Sequence, residues 1–339
     1  MTSTARPAAT AKDVAREAGV HQSTVSRALD PAQADRVRPE TRLRVEQAAR
    51  KLNYNPNLTA RDLRSQRTMT VGVLIPSFGN PVYGSLVRGI SAELEQRRYH
   101  ALVIETPDGR DRIPSALAIL QGRRVDGMII ASARTGDEDA VRRVMDAGVP
   151  VVLALRWLDA LDTIRVINDD ELGGALAARH LIELGHRRLA EVGGPESISN
   201  FTARSRGFRK VAERAGIEVV GGTFQAQAPT IAEGRRTTAR LLDLHAGVTG
   251  VFAHNDLLAV GALESLAARR LRCPDDVSIV GYNDSPLTAH LAPPLTTVRM
   301  PIDPMGHLAA RRLLEVIDGA SADQGTLSLP PRLLVGQST

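Results

Sequence analysis

From Thr70 onward the chain alternates short β-branched runs with amphipathic stretches of helical period, and this alternation constrains the fold more than any other feature. Strand character marks residues 70–75 (TVGVLI), 100–106, 125–131, 150–155 and 163–168, then 187–194, 218–224, 250–256 and 277–284. Between them, helical spacing marks stretches such as 86–97, 172–184, 203–215, 231–244, 257–270 and 304–317. Continuous apolar strands interleaved with helices predict parallel sheets covered on both faces. Their number and length predict two doubly wound sheets. Glycine turns at Gly193-Gly194 and Gly281-Tyr282 fall just past strand ends, where an open α/β sheet offers its ligand crevice, although a plain strand-to-loop turn is the simpler reading of each.

Residues 1–68 contain no strand pattern. Helical spacing predicts helices over 12–18, 22–29 and 39–52 and a short one at 58–63, the third begun by Pro39 at its first position with Glu40 in its first turn. Gly19 supplies a left-handed turn between the first two, so that Val14, Ala15, Ala18, Val20, Val25 and Leu29 form a small shared core. That pairing is a helix-turn-helix, and the second helix carries Gln22, Ser23, Ser26 and Arg27 on the side away from Val25, Ala28 and Leu29. Gln and Arg make paired hydrogen bonds to the major-groove edges of adenine and guanine. Gln22 and Ser23 are the expected base readers, Arg27 reaches guanine one turn on, and Thr24 and Ser26 suit phosphates or packing.

The charge distribution agrees with a polyanion partner. The net charge is +5, yet residues 1–68 hold thirteen Arg and Lys against seven Asp and Glu, leaving the rest of the chain at −1. A solvated basic surface explains that excess equally well. Composition is otherwise that of an ordinary soluble globular protein, with 43% hydrophobic and 24% charged residues. The sole cysteine, Cys273, has no disulfide partner, which fits a reducing compartment and a cytoplasmic protein. Residues 1–10 read as a disordered leader without a secretory apolar core, and 68–87 is too interrupted by Pro and Gly to span a membrane.

"KDVAREAGVHQSTVSRAL" and the following "RPETRLRVEQAARKLNYNPNLTARDLRSQRTMTVGVLIP" closely resemble the start of lactose/galactose-repressor (LacI/GalR) family regulators. The resemblance continues through "NPVYGSLVRGI", "VDGMII", "ARHLIELGHRRLAEVGGP", "VFAHNDLLAVGAL", "PDDVSIVGYND" and "PPLTTVRMP", covering residues 11–336. It implies an all-α helix-turn-helix domain (11–55), a hinge helix and linker (56–68) and a periplasmic-binding-protein-like α/β core (69–339). The core is expected to divide into one subdomain of 69–168 and 300–325 and another of 169–299 and 326–339. The implied function is a repressor that binds a pseudo-palindromic operator as a homodimer under control of a small effector, a sugar or related metabolite, held between the subdomains. The hinge would be "NPNLTARDLRS", with Asn57, Ala60, Leu63 and Arg64 on the DNA. Leu63 would wedge into the central base step through the minor groove, and Arg64 would reach the groove floor or a phosphate. No heptad extension follows Gly336, so a dimer rather than a tetramer is expected.

By the same resemblance the effector cleft is lined by Asn80, Pro81, Tyr83, Arg204, Phe224, Asn255 and Asn283, with Arg156 a further candidate. Arg204 is the foremost contact. Guanidinium forks, amide donor-acceptors and an aromatic face suit a hydroxylated or carboxylated molecule. Asn255-Asp256 also reads as a cap for the helix near Leu257. Three departures stand out. Sugar-binding relatives commonly have aspartate where this chain has Leu155 and Asn283, and many have serine, a better N-cap, where it has His21. The turn "DPAQADRV" is also longer by about two residues than in relatives. An exported solute-binding protein is the first rival, opposed by the basic head and the lack of a signal peptide. An enzyme is the second, but no nucleophile–base pair, phosphate loop, metal cluster or cofactor motif is recognisable.

Overall fold

The computed structural model describes residues 9–30, 33–54, 67–107, 112–320 and 325–339. Two compact units divide the chain, Met1–Thr68 and Met69–Thr339.

In the first unit, the described residues form α1 (Ala11–Ala18), α2 (Gln22–Ala28) and α3 (Pro39–Lys51). Thr10 and Asp13 close a reciprocal capping box on α1, each satisfying an otherwise free N–H of the first turn. Gly19 ends α1 at φ +64°, a conformation that costs other L-residues about 1 kcal/mol, and so permits the sharp turn into α2. Val14, Ala15, Ala18, Val25 and Ala28 are buried together with Val45, Ala48 and Ala49 of α3, and Val20 and Leu29 pack against them. The long turn before α3 is partly tightened into a 3-10 segment, Ala34–Arg36, that buries Ala34. The leader residues 1–8 and the expected helix at 58–63 lie outside the described residues.

The second unit contains two six-stranded sheets. The first joins β1 (Thr70–Ile75), β2 (His100–Glu105), β3 (Gly127–Ile130), β4 (Val151–Ala154), β5 (Ile164–Asn168) and β11 (Thr326–Leu329) in the order β11-β5-β4-β3-β1-β2. The second joins β6 (Arg188–Gly193), β7 (Glu218–Gln225), β8 (Gly250–Ala253), β9 (Ser278–Asn283), β10 (Thr296–Arg299) and β12 (Arg332–Leu334) in the order β12-β10-β9-β8-β6-β7. All pairings are parallel except β10 with β12. Five strands of each sheet thus repeat one winding, with the reversal of strand order between β1 and β3 and between β6 and β8. In such sheets ligands bind outside the carboxyl ends at that reversal.

Helices cover both faces: α4 (Pro81–Gln96), α5 (Arg112–Gly122), α6 (Glu138–Asp146) and α11 (Ile302–Ile317) in the first lobe, and α7 (Asp170–Glu183), α8 (Ser199–Arg214), α9 (Ile231–Leu244) and α10 (Asp256–Ala268) in the second. The interior of β1 is apolar because both faces of its sheet are covered: Val71, Val73, Leu74 and Ile75 are fully buried, each contributing roughly 1.5–3 kcal/mol. The chain crosses between lobes three times, at β5 to α7, β10 to α11 and β11 to β12. The expected return to the second subdomain at 326 is corrected by this topology. Thr326–Leu329 pairs in parallel with β5, and only from Arg332 does the chain join the second sheet.

Candidate functional site

The exposed face of α2 is the first candidate. Its N-cap is His21, whose Nδ1 accepts from the Ser23 amide at 3.2 Å, so histidine fills the place for which serine was the expected better residue. Gln22, Ser23 and Arg27 are exposed, whereas Thr24 and Ser26 are half-buried, in keeping with their packing or phosphate assignment. The Arg27 Nε donates to the Ser23 carbonyl at 3.2 Å, which folds the side chain back along the helix surface. Asn57, Ala60, Leu63 and Arg64 lie outside the described residues.

The second candidate is a cavity of about 670 Å³ in the core unit. It opens where the reversal of strand order puts it: Pro76–Asn80 follow β1, Leu155 and Arg156 follow β4, Asn255 follows β8, Asn283 ends β9 and Met300 follows β10. Of the expected residues, Asn80, Tyr83, Arg156, Arg204, Asn255 and Asn283 line it. Pro81 does not. It starts α4 and lines a neighbouring hollow of about 280 Å³ that shares Val82, Asn283 and Met300.

Phe224 is also corrected. It packs edge-on against His245, with ring centroids 5.5 Å apart, and joins the apolar cluster around Leu241 instead of facing the cavity. Two consecutive left-handed residues, Gly221 and Gly222, interrupt β7 just before it and shift its register against β6. The aromatic wall is supplied by Phe201 on α8. Its ring lies over Gly194, where a side chain would collide with it, so the glycine turn after β6 was the available signal.

Two lining asparagines do structural work. Asn80 Oδ1 accepts from the Val82 amide at 3.3 Å and Asn255 Oδ1 from Leu258 at 2.7 Å, capping α4 and α10. The cap on α10 is therefore Asn255, and Asp256 has a different role. Its carboxyl accepts from the Ser285 amide and the Thr297 hydroxyl, each at 2.7 Å, and burial raises its pKa to about 7.

The two arginines differ in the same way. Arg204 is 1% exposed and its guanidinium is fully engaged: Nε donates to Asp170 at 2.8 Å, Nη1 to the His254 carbonyl and Nη2 to Met300 Sδ. The same guanidinium lies 3.6 Å from the Tyr282 ring centroid, a cation–π contact that fixes its plane. Arg156 has no carboxylate partner among the described residues; Nη1 donates to the Ser132 carbonyl at 3.3 Å and Nη2 to the Tyr83 hydroxyl at 3.2 Å. Beside it stands Leu155 at φ +65°, a strained backbone for leucine.

Known proteins resemble the whole of this arrangement. The family model for bacterial regulatory proteins of the lacI family matches residues 10–57, and that for a periplasmic binding protein-like domain matches 178–339. The ribose operon repressor of Escherichia coli is 34% identical over 330 residues, spanning 96% of this chain and 98% of the relative. The regulator CelR of Thermobifida fusca is 34% identical over 96% of each chain. Among solved structures, the Lac repressor dimer bound to operator and an anti-inducer superimposes with a TM-score of 0.87 at 29% identity, covering 97% of this chain and 98% of that one. A CelR–cellobiose complex gives 0.76 at 32% identity, covering 98% of this chain and 100% of that one. With its helix-turn-helix head and its two-lobed core both matched along nearly their full length, the chain belongs to the LacI family of bacterial transcriptional regulators.

Proposed function

We propose that this protein is a transcriptional repressor that binds a pseudo-palindromic operator as a homodimer and responds to a small molecule held in the core cavity. The observation that carries the reading is the exposed set Gln22, Ser23 and Arg27 on a short helix anchored through Val25 and Ala28. Such a helix enters the major groove with its N-terminal residues at base edges. Asn57, Ala60, Leu63 and Arg64 take the minor groove at the operator centre. The effector meets the cavity at Tyr83, Arg156 and Asn283, with Asn80, Asn255 and Arg204 holding the walls in place. Action on the bacterial chromosome puts the protein in the cytoplasm. The relatives include the ribose operon repressor and a cellobiose-bound regulator, which supports a sugar or related metabolite as effector.

Genome-wide mapping of bound DNA followed by footprinting of the purified protein tests this. A discrete protected site with two-fold symmetry, bound by a species of twice the chain mass, is the expected result. Uniform, salt-sensitive binding to all DNA would reject sequence-specific repression.

A further inference from the structure

The cavity has an unusual balance of charge and hydrogen-bonding groups. Among the described residues, no carboxylate lines it. Arg204 is neutralised by Asp170, but Arg156, only 2% exposed, lacks a counter-charge. The nearby charges of Arg134 and Asp137 are opposite and offset each other. Two of the five Arg156 N–H donors are spent on Ser132 and Tyr83, and Nε has no partner. A guanidinium removed from water is costly unless a counter-charge or ligand compensates it.

The amides tilt the balance the same way. Asn80 and Asn255 spend their carbonyl oxygens on helix caps, leaving to a ligand the Nδ2 of Asn80 and the N–H of Asn255 Nδ2 that is not directed at the Pro229 carbonyl, 3.5 Å away. Asn200 Oδ1 is buried and unpartnered, a neutral acceptor ready for a hydroxyl. A neutral polyol is held best by charged acceptors for its O–H groups, whereas this site, with no carboxylate among its described lining residues, supplies amides, hydroxyls and one positive charge. One uncompensated charge matches a monocarboxylate, whereas a phosphate monoester, with about −1.5 to −2 charges at pH 7, would stay partly unneutralised.

We propose that the ligand of the cavity is a small hydroxylated carboxylate, a sugar acid or a molecule of that class, with its carboxylate compensated by Arg156 beside Tyr83 and a hydroxyl donating to Asn200. This rests on the reading of the cavity as the effector site. Apolar surface from Leu155, Phe201 and Ile231 covers the rest of the molecule.

The test is calorimetry on the full-length protein with matched probes: D-glucose, D-gluconate, D-glucuronate and D-glucose 6-phosphate; D-galactose and D-galacturonate; cellobiose and cellobionate. At least one acid should bind roughly tenfold or more tighter than its neutral counterpart. Arg156→Met should abolish that preference, and Arg156→Lys should keep the preference at lower affinity. Tighter binding of the neutral sugar in every set, tighter binding of the phosphate, no binding of any acid, or an undiminished preference in Arg156→Met would each overturn the proposal. If Arg156→Met does not fold, the wild-type sets and Arg156→Lys decide it. Footprinting separates the two levels. A symmetric footprint released only by a neutral sugar rejects the carboxylate and leaves the repressor intact, whereas the lack of any discrete footprint rejects the repressor whatever the cavity binds.

Discussion

Arg204 Nε and Asp170 Oδ1 lie 2.8 Å apart with both side chains 1% exposed, so the residue that the sequence puts foremost in the cleft is first a strut between α8 and α7. Removing one member of a buried pair leaves the other charge stranded. Arg204→Met should therefore cost about 3–5 kcal/mol in urea denaturation, and Arg204→Met combined with Asp170→Leu should recover much of it. A single variant as stable as the wild type but deaf to effector would show instead that Arg204 acts mainly on the ligand.

Asp256 carries a pH-dependent cost. Its carboxyl has a pKa of about 7 in the folded chain against 3.8 for the free group. Below pH 4 it is protonated in both states, and between 4 and 7 only the unfolded chain releases the proton, so each unit of rising pH favours unfolding. Above 7 the accumulated cost is constant, on the order of 4 kcal/mol. Asp256→Asn, with Oδ1 accepting from Ser285 and Nδ2 donating to Thr297, should lack this dependence. Its stability relative to wild type should rise from pH 5 to pH 8 in denaturation curves, and parallel curves would refute the assignment.

Helices α7 and α8 approach closely through glycine. A Cβ on Gly207 would run into the Glu171 carbonyl, whereas one on Gly122 at the end of α5 meets nothing within 4 Å. Gly207→Ala should lose about 1–3 kcal/mol and Gly122→Ala should gain up to about 1 kcal/mol, measured by thermal unfolding. Equal effects at the two sites would contradict the packing.

Arg27 engages the Ser23 carbonyl through Nε alone, which leaves its Nη groups to donate to a base. Arg27→Ala should weaken operator binding by roughly 1–3 kcal/mol and relax the preference at one position per half-site. An equal loss on random DNA, measured by fluorescence anisotropy, would make it a phosphate contact.

Legibility in the sequence followed the range of the interactions. The strand at 70–75 and the helix at 231–244 coincide with β1 and α9 because buried runs and amphipathic periods are local signals. By contrast, β11 and β12 have four and three residues and half-exposed side chains, so no apolar run marks them, and the short β10 lies in a segment flanked by prolines. Cleft residues such as Asn80, in the loop after β1, and Asn283, at the end of β9, were legible through the family resemblance of the segments that carry them. Phe201 in place of Phe224 was not, since the packing of Phe224 against His245 and the Leu241 cluster is a contact between distant segments that no local pattern marks. Nor was the commitment of Arg204, whose partner Asp170 lies 34 positions away.

The three crossings between lobes also set the order in which the molecule can be finished during synthesis. The first sheet lacks its edge strand, and α4 lacks its neighbour α11, until all of α7 through β10 has been translated. The second sheet then waits for β12. Leu86, Ile90 and Leu94 of the nascent chain thus remain without Met305, Ala309 and Leu313 while well over a hundred later residues emerge. The first lobe is not a complete cooperative unit before Leu329 has left the ribosome, nor the second before Leu334, and the nascent first lobe is the stretch on which chaperones have the longest opportunity to act.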